Sequence, residues 1–594
     1  MKSYLTIIFV FLVTVIIHIP TFAGMDADFQ TYSLASKLIF NGFTPYLDFF
    51  ADNKPPFYYI LLLPGNFIGG KLISFFVVHL VIVGAVGVLI YYIGTKMNES
   101  NEPQIGWYSW ALFQLLTAIQ FLQYGNLNGS IVYGVILFEL ISIFIFFRIL
   151  KQTVDSWTNG NILVLGILGG LAFFTRMSIT IVSLYILILF YIMISESNTI
   201  KNTLKSLFLF CIGFIMPIII GIYSLSLTFN ELIKYTISYN YSYAGTFGLN
   251  RIVADIIESS IGLYMHTRPL IIFVLSILLL FLFINKNRYN FENRLITYPR
   301  LVSLVIILLS LPIFHYIFRF KYTYYALFLL IIAIPLLIIA IPLMSLIIKS
   351  DIYKKIPHRI YFLFTYFIIG YLQIILFGTG GKQYPFFMIF VPLCLITGFL
   401  ITRFFNNPQI EINQSKRVKF MSQCSNLSPG IILVLFCLLL GIKRLNTTLD
   451  NRKVIDKIIS VNPIEQIYAL FDKTHERSWP EQKLINYIIE NTENKKDYYN
   501  FYFGAYLYLE TNKIPPISIF SYNYAWWTGW GSDLGSEKKL IEEFMNSKPS
   551  YITCAQRFKI PEPFLSYINN NYTKQNSYFT NYKEIVVDLY EKNN

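Results

Sequence analysis

The amino-acid sequence predicts an α-helical protein that crosses a membrane many times and ends in a small α/β domain outside it. Three observations carry this reading. Of 594 residues, 55% are hydrophobic and only 13% are charged. Apolar runs near the roughly 20 residues needed to cross a hydrocarbon core recur as far as Ile442, and lipid offers backbone groups no partner, so each must be helical. Beyond Ile442 polar residues rise, and helical periods alternate with strand-like ones.

The first span is Tyr4 to Pro20, which follows a lone Lys2. Thr21 and Ala23 also fit a signal-peptide cleavage site, but the many later spans favour an uncleaved helix. A polar outer loop, residues 21–70, comes next. Its end, Ile60 to Gly70, is broken by Pro64 and paired glycines and suits a short re-entrant or interfacial piece better than a span. The second span is Lys71 to Gly94. Further spans read as Ile105 to Leu122, Gly129 to Ile149, Ile162 to Thr175, Ser178 to Ile194, Leu204 to Phe229, Pro269 to Ile284 and Leu301 to Ile317. Tyr322 to Ile348, Ile360 to Phe377, Tyr384 to Thr402 and Gly430 to Ile442 complete a set of about thirteen. The membrane domain is therefore 1–442. Residues 443–594 form the α/β domain, with helix-like Trp479 to Glu493 and Glu537 to Asn546, and strand-like Tyr498 to Phe503, Ser550 to Cys554 and Glu584 to Tyr590.

Charge orients this array. The formal net charge of +14 is spread over short loops instead of forming one stripe, so it reads as membrane orientation and not as a nucleic-acid surface. Lys96, Arg148, Lys151, Lys201, Lys205, Lys286, Arg288, Arg294, Lys349, Lys354, Lys355, Arg359, Arg403, Lys416, Arg417 and Lys419 fall in alternate loops, which are cytoplasmic by the positive-inside bias. An odd number of spans puts the C-terminal domain on the opposite side. The 5 cysteines form no CxxC pair, which indicates neither a disulfide framework nor a zinc site. The sequence holds no P-loop, no G-x-S-x-G and no HExxH.

Met25 to Tyr59 is a polar island, with Asp26, Asp28, Asp48, Asp52, Lys37 and Lys54 ahead of Pro55-Pro56 and the aromatic run Phe57 to Tyr59. Asp28 opens a helical pattern in which Tyr32, Ala35 and Ile39 share a face. It reads as an N-cap or as a general base, and Asp26 is an equal candidate for the cap. The two prolines hold Lys54 extended at the membrane edge. There its ammonium either snorkels to the headgroups or binds a lipid phosphate. His266, Arg268, Arg319, Lys321 and Lys382 are further outer-face cations beside aromatics, each an interfacial anchor or part of a phosphate pocket. Asn126 and Asn128 read as caps of the following span, and Trp526 to Gly531, WWTGWG, as a packed turn or a sugar-stacking platform.

The run YSLASKL followed by NGFTPYLDFFADNKPPFYY, just after an external aspartate, resembles the first outer loop of the polyprenyl-phosphate-sugar glycosyltransferases of the GT-C superfamily. Within it the chain is most similar to the protein O-mannosyltransferase and lipid A aminoarabinose transferase type. GILGGLAFFTR, FNELIKYTISYNYSY, KYTYYALFLLIIAIP and GKQYPFFMIFVPL are weaker matches. The resemblance implies a GT-C fold in the cell membrane and inverting transfer of a sugar from a polyprenyl-phosphate carrier at the outer face. The acceptor would be a lipid, polysaccharide or protein, and no nucleotide cofactor would be needed. Asp28 matches the proposed catalytic aspartate and Lys54 the phosphate-proximal lysine, with Arg268, Arg319, Lys321 and Lys382 as further phosphate ligands. Phe29 stands where many members carry glutamate, and Asn53 where some do. The acceptor contact or second acidic contact then falls to Asp26, Asp48, Asp52 or Asn53, and a divalent metal is left unassigned. The rival readings are a secondary transporter or flippase of a lipid-linked sugar, and a non-catalytic glycan-binding membrane protein. The spans are nearly free of acids, Glu139 excepted, which disfavours a transporter pathway.

Overall fold

The computed structural model describes residues 2–19, 27–49, 54–97, 102–117 apart from 115, 130–149, 159–176, 181–189 apart from 183, and 200–236 apart from 235. It also describes 359–370 apart from 361, 368 and 369, then 384–405, 482–516 apart from 495 and 502–504, 537–556, 562–579 and 586–593. The chain divides into two compact units. One comprises Met1–Ile93, Phe121–Thr246 and Leu427–Asn594; the other comprises Gly94–Gln120 and Phe247–Asn426.

In the first unit, α1 (Lys2–His18) is an apolar helix that coincides with the stretch expected as the first span, and α2 (Ala27–Phe40) is the expected helix from the polar island. The interfacial piece becomes two five-residue helices, α3 (Phe57–Leu61) and α4 (Pro64–Ile68), separated where Pro64 stops the first and starts the second. Helix α5 (Leu72–Thr95) is the second span. It packs on α1 through Gly84 and Gly87, where a Cβ would collide with Phe11 and Thr14, so the small residues let the two helices approach closely. The second unit contains α6 (Pro103–Gln114). The first unit resumes with α7 (Ser130–Ile149), α8 (Asn159–Thr175), α9 (Ile200–Ser224) and the short α10 (Phe229–Ile233). Gly166 and Gly170 of α8 lie against the backbone carbonyls of Phe210 and Phe214 in α9, a small-xxx-small contact. Thr228 and Glu231 close a reciprocal capping box on α10.

Leu72–Thr95, Ile131–Arg148 and Leu204–Ser224 are, among the described residues, the helices long and apolar enough to cross a membrane. In the second unit, α11 (Tyr384–Phe405) packs on α6, with Gly398 against Ser109. There the Arg359 guanidinium donates to the carbonyl of Lys96. That bond joins two loop ends that the charge bias assigns to one membrane face. The expected spans Pro269 to Ile284, Leu301 to Ile317, Tyr322 to Ile348 and Gly430 to Ile442 lie outside the described residues.

The C-terminal region contains α12 (Gln482–Asn491), β1 (Tyr498–Phe501), α13 (Tyr506–Glu510), α14 (Glu537–Ser547), β2 (Tyr551–Ala555), α15 (Glu562–Asn571), β3 (Tyr572–Phe579) and β4 (Val586–Lys592). The sheet order is β1-β2-β4-β3, with β1 and β2 parallel and the other pairs antiparallel. Strand alternation sends Tyr499 and Phe501 to one face, where Phe544 of α14 and Phe564 of α15 meet them edge-on at 5.3 to 5.5 Å. Tyr498 and Asn500 lie on the other face. There Tyr498 Oη is 2.6 Å from Thr553 Oγ1, Thr553 donates to Asn500 Oδ1, and the Asn500 amide donates to Tyr508 Oη of α13. Three of the strands were expected, and β3 was not.

This domain and the leading helices share one core, in which Tyr46 and Phe174 join Tyr499, Phe544 and Phe564. Two polar contacts reinforce it. The buried Lys37 ammonium of α2 donates to the carbonyl of Leu509 at 3.5 Å, and the amide of Leu72, the first residue of α5, donates to the Glu510 carboxylate at 3.2 Å. The latter places an anion at a helix N-terminus, where orphan amides and the helix dipole favour it.

Candidate active site

The site is built on α2 and the loop that follows it. Asp28 lies in the first turn of α2, half-buried, with Tyr32 one turn further on the same face. Helical side chains lean toward the N-terminus, so the Tyr32 phenol extends back toward the turn that carries Asp28. The Lys54 ammonium donates to Tyr32 Oη at 2.6 Å and lies 5.2 Å from the centroid of the same ring. The structure thus places the Lys54 ammonium on a tyrosine one helical turn from Asp28, a residue that the sequence pattern places only on a helix face.

The chain reaches Lys54 by a tightly determined route. Helix α2 ends in a Schellman motif: Gly42 has φ of 87°, its amide donates to Ile39, and the Phe43 amide donates to Leu38. The next turn is tied by Asp48, whose Oδ2 accepts from the Thr44 amide at 2.7 Å while its own amide donates to the Thr44 carbonyl at 2.9 Å. Asp48 is exposed and acts as a turn brace. Tyr46 adopts φ of 65°, a left-handed conformation that is costly for a side chain of its size. It is held there by its amide bond to Phe49 at 2.7 Å and by its hydroxyl, which donates to the Lys54 carbonyl at 2.5 Å. Tyr32 and Tyr46 therefore grip Lys54 from both ends, one at the ammonium and one at the backbone.

Behind Lys54 the packing is aromatic and buried. Tyr59 stacks on Tyr32 at 5.6 Å and Tyr58 meets it edge-on at the same separation. Tyr58 Oη lies 3.4 Å from Nδ1 of His79 on α5, and His79 in turn packs against Phe29 and Tyr133. Nothing in the apolar run of α5 marks His79 as a neighbour of the site; only the fold brings it there. The aromatic run just after Lys54, by contrast, is visible in sequence, and its function as a wall for Tyr32 follows from α3 beginning at once after Pro55-Pro56.

Asp26, Asp52, Asn53, Arg268, Arg319, Lys321 and Lys382 lie outside the described residues. Among the described residues there is no group of three or more side chains able to hold a metal ion.

No protein-family model and no curated protein matches the chain. Among solved structures, it is similar to the crystal structure of ArnT from Cupriavidus metallidurans bound to undecaprenyl phosphate, with 10% sequence identity, a TM-score of 0.45, and coverage of 99% of this chain and 98% of that one.

Proposed function

We propose that the protein is a membrane glycosyltransferase that moves a sugar from a polyprenyl-phosphate carrier to an acceptor at the outer membrane face, with inversion. The observation that supports this most is the placement of the Lys54 ammonium on Tyr32, one helical turn from Asp28. Inverting transfer needs a base for the acceptor proton and positive charge for the leaving phosphate, close together. In the proposed step the Asp28 carboxylate takes the proton of the acceptor O–H as the oxygen attacks the anomeric carbon. The bond from that carbon to the phosphate oxygen breaks, and its electron pair stays on the phosphate, whose charge Lys54 offsets. Arg268, Arg319, Lys321 and Lys382 are proposed as further phosphate ligands. Asp26 and Asp52 are the proposed second acidic contact, with Asn53 as a neutral contact to the acceptor. Asp48 is a weaker candidate because its Oδ2 already braces the turn. A polyprenyl-phosphate leaving group requires no nucleotide site.

The test is transfer of radiolabelled sugar from a panel of polyprenyl-phosphate donors by the full-length protein in lipid, wild type beside Asp28→Asn. The wild type is expected to transfer from at least one donor, with the variant slower by about a hundredfold or more. Equal rates would remove Asp28 from the mechanism. Absence of transfer, with no donor bound by wild type, would overturn the transferase reading.

A further inference from the structure

A cavity of about 250 Å³ lies beside the loop that carries Tyr46 and not at the Asp28 end of α2. Its walls come from the first outer loop on one side and the α/β domain on the other, both within the first compact unit. Phe43 and Leu47 of the loop and Pro515 of the domain supply flat or apolar surface, Asp48 and Glu543 supply carboxylates, and Lys496 sits at the side with its ammonium 5.7 Å from the Phe43 ring centroid. We propose that this cavity is a saccharide-binding subsite that takes one sugar unit of an oligosaccharide acceptor.

The chemistry selects that class. A sugar ring presents apolar C–H faces, which ring and proline surfaces cover, and an edge of hydroxyl donors, which carboxylates accept. Two carboxylates against one ammonium disfavour a phosphate or other anionic group. Asp48 has one oxygen committed to the Thr44 amide, and a carboxylate has acceptor capacity beyond that single bond.

Position selects a chain-like acceptor. Leu38 of α2 also lines the cavity, ten residues after Asp28, which is about 15 Å along a helix axis at 1.5 Å per residue. One sugar cannot occupy the cavity and offer its hydroxyl to Asp28, whereas an oligosaccharide can do both. The loop wall is also the segment whose Tyr46 hydroxyl holds the Lys54 carbonyl, so occupancy of the cavity and placement of Lys54 depend on the same turn.

Naming the bound saccharide as acceptor rests on the transferase reading above; the binding itself does not. The experiment measures binding of triacetylchitotriose and of maltotriose to full-length protein in lipid nanodiscs by calorimetry, for wild type, Leu47→Trp, Glu543→Gln and Asp28→Asn. Leu47 is exposed, so tryptophan there narrows the cavity without entering a core. Wild type is expected to bind at least one trisaccharide. Loss of a hydrogen bond to a charged group should weaken binding by Glu543→Gln about tenfold, and Leu47→Trp should weaken it at least as much. Asp28→Asn leaves the cavity lining unchanged and reports on transfer, not on cavity binding. Failure of wild type to bind either trisaccharide, or equal binding by both cavity variants, overturns the proposal. Binding that follows the expected pattern while Asp28→Asn still transfers sugar leaves the cavity standing and removes the catalytic base.

Discussion

Lys54 owes its position to two tyrosines that nothing in the linear sequence pairs with it. Tyr32 is 22 residues before it and Tyr46 is 8 before it, and both become partners only because α2 ends at Gly42 and the chain doubles back through the turn braced by Asp48. Tyr32→Phe keeps the ring packing on Tyr58 and Tyr59 and deletes the oxygen that receives the ammonium. A hydrogen bond to a charged group is worth about 1.5–3 kcal/mol, so kcat for sugar transfer should fall by roughly 10- to 100-fold. Unchanged steady-state rates would show that Lys54 does not need Tyr32 to be placed. Asp28 and Lys54 themselves were legible, because a carboxylate after a first span and a lysine stiffened by two prolines are local features. The grip on Lys54 was not, since a hydroxyl partner leaves no periodic trace. The same holds for His79, which lies within the uniformly apolar run of α5 and reaches the site through Tyr58.

Among the elements, α1, α5, α7, α8 and α9 follow the hydropathy of the chain within a few residues, as expected where burial in lipid dictates helix. Strand β3 escaped notice because YTKQNSYF is mostly polar and exposed. It is an edge strand held to β4 by backbone pairing and by Asp588, which is 2.9 Å from the Lys574 ammonium and accepts from Ser577 and Gln556. Burial by itself would raise the Asp588 pKa; the bonds from Lys574, Ser577 and Gln556 outweigh it and hold the carboxyl below its ordinary 3.8. The sign follows: with the folded-state pKa depressed, this contribution is fully present above pH 3.8 and is lost as pH falls through the folded value. Amide hydrogen exchange in β3 and β4 should therefore accelerate in acid. Asp588→Asn should lower their protection already at neutral pH, by about 1–3 kcal/mol, with a flatter acid response. Protection indifferent to the substitution would mean that the backbone ladder alone secures the edge.

At the scale of the whole molecule, the Lys96 to Arg359 contact joins two distant loop ends that the charge bias assigns to one membrane face. Single cysteines at Lys96 and at Arg359, in a background with the native cysteines replaced, should both resist a membrane-impermeant thiol reagent in intact cells. A cysteine at the exposed Ser566 of the α/β domain should react at once. Labelling of all three would sink the proposed topology. The contact between Glu510 and the first amide of α5 carries a consequence for biosynthesis. The two partners are 438 residues apart, so at about 5–20 residues per second the second span is synthesised roughly 20–90 s before the carboxylate that caps it exists. Lys37 waits slightly longer for Leu509, 472 residues away. A ribosome that stalls anywhere before residue 509 releases a chain whose helices are made but whose α2 and α5 lack both of these ties, so the finished α/β domain certifies that translation passed this point.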